Sequence, residues 1–410
     1  MITKTEEMSK GYRFGFIALI TGSLLVTANH LEGQIESGEL GGGELNTIKT
    51  SVPFLTIAPD SRAGAMGDVG AATTPDVNSQ HWNIGKYAFI ENTGGFAISY
   101  TPWLRNLIPD INLAYLSGYY KLDDKQVVSA SLRYFSLGNI VFTDLTGTVT
   151  GQYNPNEFAV DAGYSRLFTD HFSGGIAFRF IRSDLTSGQT TSDGQETQPG
   201  ISFAADLGFY YQNDVNVGSS DGQWALGASI TNMGTPVSYT ADATKTPIPT
   251  NLKIGGRFTY NIDEYNSISA HLDVNKLLVP TPPVVEEDTA TGNLVVIRGK
   301  ENPGSVVTGM FQSFYDAPGV LKSDGSYSTF SEEMHEIAYS TGVEYWYREQ
   351  FSIRAGYFHE HSTKGTRKYF TVGIGLQLNV FALDFSYLVP TNGQNSPLAN
   401  TLRFTLGFNL

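Results

Sequence analysis

A strict two-residue alternation of side chains runs from Phe370 to Val380 and limits the folds open to this chain. Large apolar residues occupy every second position, and Thr, Gly, Gln and Asn lie between them. Successive side chains of a β-strand point to opposite faces, so such a strand is apolar on one face and small or polar on the other. The same pattern recurs in residues 158–165, 252–260 and 403–410. The sequence therefore predicts an all-β protein and leaves open which solvent meets each face.

The connections between the alternating runs are short and long in turn. Brief ones, such as Asp123-Asp124 and Thr169-Asp170, alternate with longer ones, of which 280–333 is the longest. Counting the runs predicts about 14 strands, with both chain ends on the side of the brief connections. A soluble sandwich gives no reason for this order, whereas a transmembrane barrel has short periplasmic turns and long extracellular loops.

The first 28 residues have the layout of an export signal. Basic residues precede the apolar stretch "FGFIALITGSLLVTA", which ends in small residues. The stretch is too short for a spanning helix, and no later segment approaches the roughly 20 apolar residues that such a helix needs. We predict that 1–28 is a cleavable signal peptide; a retained anchor or a buried helix is the alternative.

Four features together favour a barrel in the outer membrane, with its apolar face toward lipid and its polar face toward the lumen. They are the export signal, runs long enough to span when tilted, the two classes of connection, and aromatic residues near the strand ends. The predicted fold is thus an all-β transmembrane antiparallel barrel of about 14 strands with an N-terminal plug. The predicted domains are a signal peptide 1–28, a flexible leader 29–50, a hatch 51–93 and a barrel 94–410, whose 280–333 connection is an extracellular loop with a short helix.

Composition excludes several functions. The chain has no cysteine, so thiol catalysis and thiolate metal sites are ruled out. Its net charge of -14 repels nucleic acid phosphates. The triplet His359-Glu360-His361 could ligate a metal, but it lies where a strand enters a loop, which favours a solvated loop edge. The sequence contains no His-Glu-x-x-His helix, no calcium-loop spacing and no nucleophile elbow. We therefore expect no metal, no cofactor and no enzymatic activity.

Charged residues in the polar phase of the strands are candidates for a network inside the lumen. They could bind a polar solute or set ion selectivity, but their mixed signs favour ion pairs that hold the plug and fill the interior. The predicted network comprises Arg133, Asp161, Arg179, Asp206, Arg257, Asp273, Arg354, Asp384 and Arg403, with Lys253 and His271 in the same phase.

The long connection 280–333 contains the second candidate site. Pro303 can begin a helix and Pro318-Gly319 can end it, with apolar residues at helical spacing between them. Such a helix would either cover the barrel mouth or meet another protein. Exposed aromatic and Met side chains make adaptable apolar anchors, so the predicted contact residues are Met310, Phe311, Phe314 and Tyr315.

Two separated motifs carry a resemblance to a known family. The segment "SRAGAMGDVGAATTPDVNSQHW" followed by "NIGKYAF" resembles the N-terminal hatch of fatty-acid-transporter-like (FadL-like) barrels, and more closely that of the PorV (LptO) family of the type IX secretion system. The later "GMFQSFYDAPG" is similar to that family's long-loop signature. Asn83-Ile84-Gly85 departs from the family's usual Asn-Pro-Ala, and Leu410 from its terminal aromatic. The plug residues identified in this way are Gly64, Gly67, Gly70, Trp82 and Asn83.

The resemblance implies a secretion component rather than an enzyme. PorV-like proteins dock at the translocon barrel, capture the C-terminal signal domain of exported cargo and pass it to a surface attachment complex. The expected partners are therefore the translocon barrel, the C-terminal signal domains of secreted cargo, the surface attachment complex and outer-membrane lipid. Nucleic acid is not expected to bind. The alternative is a channel for long-chain fatty acids or other hydrophobic small molecules, and a lipid-modifying hydrolase is a third class that no motif supports.

Overall fold

The computed structural model describes residues 46–104, 108, 110–143, 148–186, 195–218, 220–240, 245–289, 292–391, 398 and 401–410. The predicted signal peptide and most of the predicted leader lie outside these residues. Within the described ranges, no helix is both long enough and apolar enough to cross a membrane.

Fourteen strands form one closed antiparallel barrel, which confirms the predicted fold and strand count. The wall closes where the first strand, Gly94–Pro102, pairs with the last, Leu402–Asn409, from Gly95 opposite Asn409 to Tyr100 opposite Phe404. Closure pairs the backbone of the first and last strands, which an open sheet in lipid would leave without partners. In order around the wall, the strands are β1 (Gly94–Pro102), β2 (Asn112–Asp123), β3 (Gln126–Ser136), β6 (Asn156–Thr169), β7 (Phe172–Asp184), β8 (Gly200–Val217), β9 (Ser220–Gly234), β10 (Asn251–Asn261), β11 (Asn266–Leu277), β16 (Ile337–Tyr347), β17 (Phe351–His359), β18 (Lys368–Leu378), β19 (Phe381–Pro390) and β20 (Leu402–Asn409).

Smaller elements occupy the hatch and the long connections. Three hairpins pair β4 (Ile140–Thr143) with β5 (Val149–Tyr153), β12 (Val284–Glu287) with β13 (Leu294–Arg298), and β14 (Val320–Leu321) with β15 (Tyr327–Ser328). The hatch contains α-helices Ser61–Gly64 and Ser79–Trp82 and 3-10 helices Pro53–Thr56 and Ile84–Phe89. The connection from β11 to β16 contains α-helices Val306–Gln312 and Thr329–His335.

Brief turns lie at one end of the barrel, here called the inner end, and long connections lie at the other, the outer end. The brief turn between β8 and β9 is tighter than the polar stretch 213–220 suggests. In the structure β8 runs to Val217 and β9 begins at Ser220, with Asn216 opposite Asp221. The ladder continues past the apolar band because polar side chains are tolerated where a strand leaves the membrane.

The strand β18 answers the question of which face meets which solvent. Phe370 is 44% exposed on the outside of the wall, whereas its neighbour Thr371 is 1% exposed inside the barrel. The outward row through Ile374 and Leu376 is exposed throughout. Apolar side chains therefore face the lipid, and the small or polar ones face the lumen.

The hatch passes through the whole lumen, from the outer end to the inner end. Ser51 donates its amide to the Pro247 carbonyl (2.9 Å) among the long connections. Thr93 donates to the Leu410 carbonyl (3.0 Å) at the inner end. Two apolar clusters anchor the segment to the wall, one around Phe54 near the outer end and one around Tyr87 near the inner end.

This path places the two described chain ends on opposite sides of the barrel. Asn46 donates to the Pro282 carbonyl (3.2 Å) and to Glu332 (3.1 Å), both in the long connection at the outer end. Leu410 lies beside Gly94 at the inner end. The predicted position of the N-terminus on the inner side concerns residues that lie outside the described ranges. Within those ranges, the hatch carries the chain from Asn46 at the outer end through the lumen to Gly94 at the inner end.

Candidate functional site

Glycines and an asparagine set the shape of the hatch inside the lumen. Gly67 has a φ of 68°, and a Cβ on it would lie 2.5 Å from the Tyr357 carbonyl oxygen of the wall. A side chain on Gly70 would overlap the Trp82 ring, while Gly64 packs against Arg403. Glycine is needed where the backbone is left-handed or approaches another group this closely.

The turn after Trp82 forms without the family's usual proline. The Asn83 side chain accepts a hydrogen bond from the Gly85 amide (3.0 Å), and its own amide donates to the carbonyls of Ala71 and Phe209 (both 2.9 Å). Trp82 donates its indole N–H to Asp60 (2.6 Å). Side-chain hydrogen bonds therefore replace the constraint of a proline ring and tie the hatch to β8.

A first ion-pair group joins the wall strands β6 and β7 to the hatch. The Arg179 guanidinium contacts Asp161 (2.6 Å) and Asp206 (2.8 Å), and all three side chains are buried. Gln80 of the hatch donates to Asp161 (3.1 Å). Arg133 donates to the Leu55 carbonyl (2.8 Å) of the hatch.

A second group centres on residues that the sequence prediction did not include. Arg62 of the hatch binds Glu344 (2.8 Å) and Asp76 (2.9 Å). Glu344 also accepts from Arg354 (2.7 Å), which contacts Asp384 as well. Because Glu344 lies in the lumen phase of β16, the alternation of that strand was the signal that could have identified it.

The predicted network residues that remain also face the interior. Asp273 accepts from the amides of Gly70 (2.6 Å) and Ala71 (2.9 Å). Arg403 donates to the Gly64 carbonyl (3.2 Å). Arg257 is different, because it contacts wall side chains around a cavity instead of the hatch.

Two cavities flank the hatch and share no lining residue. The outer cavity is about 320 Å³ and is lined by Lys253, Lys364 and Arg367 among others. The inner vestibule, at the inner end, is about 810 Å³. Hatch backbone and the ion pairs described above lie between them, so the lumen is filled rather than open.

The connection from β11 to β16 folds into a compact cap at the outer end, held by buried charges. Lys276 contacts Glu333 (2.9 Å) and Glu336 (2.6 Å), and Lys364 contacts Glu332 (2.7 Å) and Glu336 (3.0 Å). Burial alone would raise the pKa of Glu336, but the two ammonium groups lower it below its ordinary value. We call these five residues the cap base.

The cap base also fixes the segment that follows the first cap helix. Glu333 accepts from the Ala317 amide (3.0 Å) and Glu332 from the Gly319 amide (2.6 Å). Asp316 accepts from the Thr281 amide (3.3 Å), and burial raises the pKa of Asp316 to about 6. The stretch before Gly319 is therefore held in one conformation on the rim.

A row of exposed apolar side chains lies on this cap, and we call Val307, Phe311, Phe314 and Tyr315 the cap surface. Phe311 is 69% exposed and Val307 63% exposed. Met310, expected to be an exposed anchor, is half-buried. The helix is also shorter than predicted, because it begins at Val306 and ends at Gln312. The turn after it carries Phe314 and Tyr315.

The histidines near the cap lie in separate elements. In the described ranges, no group of three or more His, Asp or Glu side chains is arranged to hold a metal ion. His359 ends β17, whereas the His361 ring stacks on that of His335 in the second cap helix, with centroids 3.5 Å apart.

Several solved structures resemble this chain at low sequence identity. The Ralstonia pickettii toluene transporter TbuX is 11% identical, with a TM-score of 0.45 and coverage of 85% of this chain and 97% of that one. The Pseudomonas putida toluene transporter TodX is 10% identical, with a TM-score of 0.42 and coverage of 89% and 98%. A Pseudomonas aeruginosa FadL homologue is 10% identical, with a TM-score of 0.39 and coverage of 89% and 99%.

The curated proteins contain no match to the sequence. A family model described as "Type IX secretion system protein PorV" matches residues 42–284, which include the hatch and the wall through β11. This match covers more than half of the 410 residues and agrees with the closed 14-stranded barrel. The chain therefore belongs to the PorV family of type IX secretion system outer-membrane proteins.

Proposed function

We propose that this protein works in type IX secretion as a docking barrel and not as a conduit. Its cap surface contacts the translocon barrel and the C-terminal signal domain of exported cargo, which then passes to the surface attachment complex. The membership of the PorV family supports the secretion role. The cap surface is the observation that supports docking.

An exposed apolar row on a fixed cap has the properties of a binding site. Aromatic side chains near the centre of an interface contribute most of the binding free energy when they become fully desolvated. The cap base orders these side chains before binding, which lowers the entropic cost of association. A flexible loop with the same residues would lose part of that gain.

The filled lumen argues for the same role. Arg62 of the hatch forms an ion pair with Glu344 of the wall, and Gln80 of the hatch donates to Asp161, the wall partner of Arg179. Opening a path would require these contacts to separate, and breaking a buried charge pair costs about 3–5 kcal/mol. A polypeptide is therefore expected to pass beside this barrel, at the translocon, instead of through it.

The alternative role as a channel for long-chain fatty acids has no supporting contact. The outer cavity is lined by charged groups, including Lys253 and Lys364, which are poorly suited to an acyl chain. We expect long-chain lipid uptake to be equal in cells with and without the protein. A loss of uptake on deletion, with secretion intact, would support the channel.

The docking role is tested by substituting Phe311→Ser and comparing it with Val141→Ser. Phe311 lies on the cap surface, whereas Val141 is a similarly exposed apolar residue in the separate hairpin β4–β5. Loss of one central aromatic anchor costs about 2 kcal/mol or more, a roughly thirtyfold weaker association. Phe311→Ser should therefore lose co-purification of the translocon and cargo in mild detergent, while Val141→Ser retains it. Equal recovery with both variants would refute the assignment of the cap surface.

A further inference from the structure

The inner vestibule is a second candidate site, at the opposite end from the cap. Its volume is about 810 Å³, and it opens among the brief turns between the hatch and the wall. Amide side chains of Gln212, Asn216 and Asn261 line it. An occupant would enter from the periplasmic side, so this site is independent of the docking role of the cap.

Arg257 lines the vestibule as a buried cation without a carboxylate partner. Its residue is 4% exposed, and its terminal nitrogens donate only to neutral groups: Thr259 (3.2 Å), the Tyr210 hydroxyl (3.3 Å) and Gln223. The Nε atom has no hydrogen-bond partner, and among the described residues no acidic group forms an ion pair with Arg257.

Burying an unpaired charge in this way costs free energy. A buried charge is normally paired, and the two other arginines that line the vestibule, Arg62 and Arg354, both are. Gln223, which binds the Arg257 guanidinium, also donates its side-chain amide to Asp214 (2.8 Å). A neutral group therefore separates the Asp214 carboxylate from the guanidinium. Arg257 therefore presents a place for an anion supplied from outside.

The mouth of the vestibule has the opposite charge. Its lining includes four exposed carboxylates, which are Glu91, Asp214, Asp221 and Glu349. Arg257 lies four residues from the last residue of β10, Asn261. At a rise of about 3.3 Å per residue this corresponds to roughly 13 Å along the strand. The Asp214 carboxylate lies only one side chain, that of Gln223, away from the guanidinium. A ligand that satisfies both regions is therefore anionic at its inner tip and cationic within about 13 Å behind it.

We propose that the inner vestibule binds the C-terminal tail of a periplasmic polypeptide. Its terminal carboxylate contacts Arg257, and basic side chains about four residues upstream contact the acidic mouth, since an extended chain rises about 3.3 Å per residue. A carboxylate fits better than a phosphate, because a second negative charge would be repelled by the carboxylates already present. The lining amides supply hydrogen bonds for the peptide backbone.

The test uses the full chain in mild detergent and isothermal titration calorimetry with three synthetic peptides. These are N-acetyl-Lys-Lys-Ala-Ala-Ala as the free acid, the same peptide as its C-terminal amide, and N-acetyl-Glu-Glu-Ala-Ala-Ala as the free acid. A charge-assisted contact changes affinity by about tenfold or more. We expect the basic free acid to bind at least tenfold more tightly than either of the other peptides.

Variants assign the effect to Arg257. Arg257→Gln should weaken the basic free acid to the level of its amide and leave the amide unchanged. Arg182→Gln is the control, because Arg182 lies on β7 near the outer end and pairs with Asp184. Should Arg257→Gln fail to fold, the acid-to-amide comparison on the unsubstituted chain decides. Equal affinities for the three peptides, no binding, or acetate binding as tightly as the basic peptide would overturn the proposal.

Discussion

The cap base gives the sharpest test of how the cap surface is held. Glu336 accepts from Lys276 (2.6 Å), Lys364 (3.0 Å) and the Thr281 hydroxyl (2.6 Å). Its carboxylate is fully buried, so Glu336→Gln leaves two buried ammonium groups with less negative charge around them. Removing one partner of a buried pair costs about 3–5 kcal/mol.

The expected destabilisation of the cap by Glu336→Gln lies at the lower end of that range. Glu333 still contacts Lys276 and Glu332 still contacts Lys364, so neither cation loses all its partners. A destabilisation of about 3 kcal/mol corresponds to a roughly hundredfold larger opening equilibrium of the cap. The barrel wall should be unaffected, because its strands pair without the cap.

Hydrogen–deuterium exchange of residues 306–336 measures this opening directly, since local unfolding controls amide exchange. The control is Glu286→Gln, which removes an exposed carboxylate from the same connection. We expect exchange in the cap to rise about a hundredfold in Glu336→Gln and to stay unchanged in Glu286→Gln. Equal exchange in the two variants would refute the idea that the buried charges hold the cap.

Three further predictions concern the chain ends, the pH response and the hatch. A membrane-impermeant maleimide should label Thr47→Cys on intact cells and should not label Asp124→Cys, because Thr47 is exposed at the outer end and Asp124 is exposed at the inner end. Labelling of Asp124→Cys alone would show that the barrel has the opposite orientation in the membrane. Burial, and then the stacked His335 ring, lower the pKa of His361 to about 4, so the unfolded cap binds this proton more readily than the folded cap. The contribution of His361 to cap stability should therefore be complete above about pH 6.5, the ordinary pKa of histidine, and should be lost as the pH falls toward 4. Hydrogen–deuterium exchange of the cap, measured from pH 7 to 4, should show a smaller loss of stability in His361→Asn than in the unsubstituted protein. An identical loss in the two proteins would exclude this histidine as a cause. Gly67 has a positive φ, so Gly67→Ala should strain the backbone and destabilise the hatch by about 1–3 kcal/mol. Conductance in planar bilayers should then rise above the low level expected for the unsubstituted protein. Unchanged conductance would show that the hatch tolerates the strain.

The barrel could be predicted from the sequence because the pattern that specifies it lies within short stretches of the chain. Alternation over a few residues assigns each side chain of β18 to lipid or lumen, and the connection lengths distinguish the two ends. The strand count followed from these patterns alone. The family resemblance used two motifs, at the hatch and in the long connection, and the matched family agrees with it.

The site was less predictable because its contacts join distant segments. Arg62 and Glu344 are separated by 282 positions, and no spacing rule relates them. Lys276 occupies the lipid-facing phase of β11, so alternation assigns it outward, yet the cap buries it beside Glu336. The path of the hatch through the lumen also depends on tertiary packing, which no local pattern in the sequence specifies.

Cross-linking from the cap surface tests the central claim most directly. The chain has no cysteine, so Phe311→Cys carries a single attachment point for benzophenone-maleimide, and Val141→Cys provides a matched control on another outer connection. Illumination of intact secreting cells should give a covalent adduct between Phe311→Cys and the translocon barrel or cargo, with none from Val141→Cys. No adduct from Phe311→Cys, or the same adducts from both positions, would contradict docking through the cap surface.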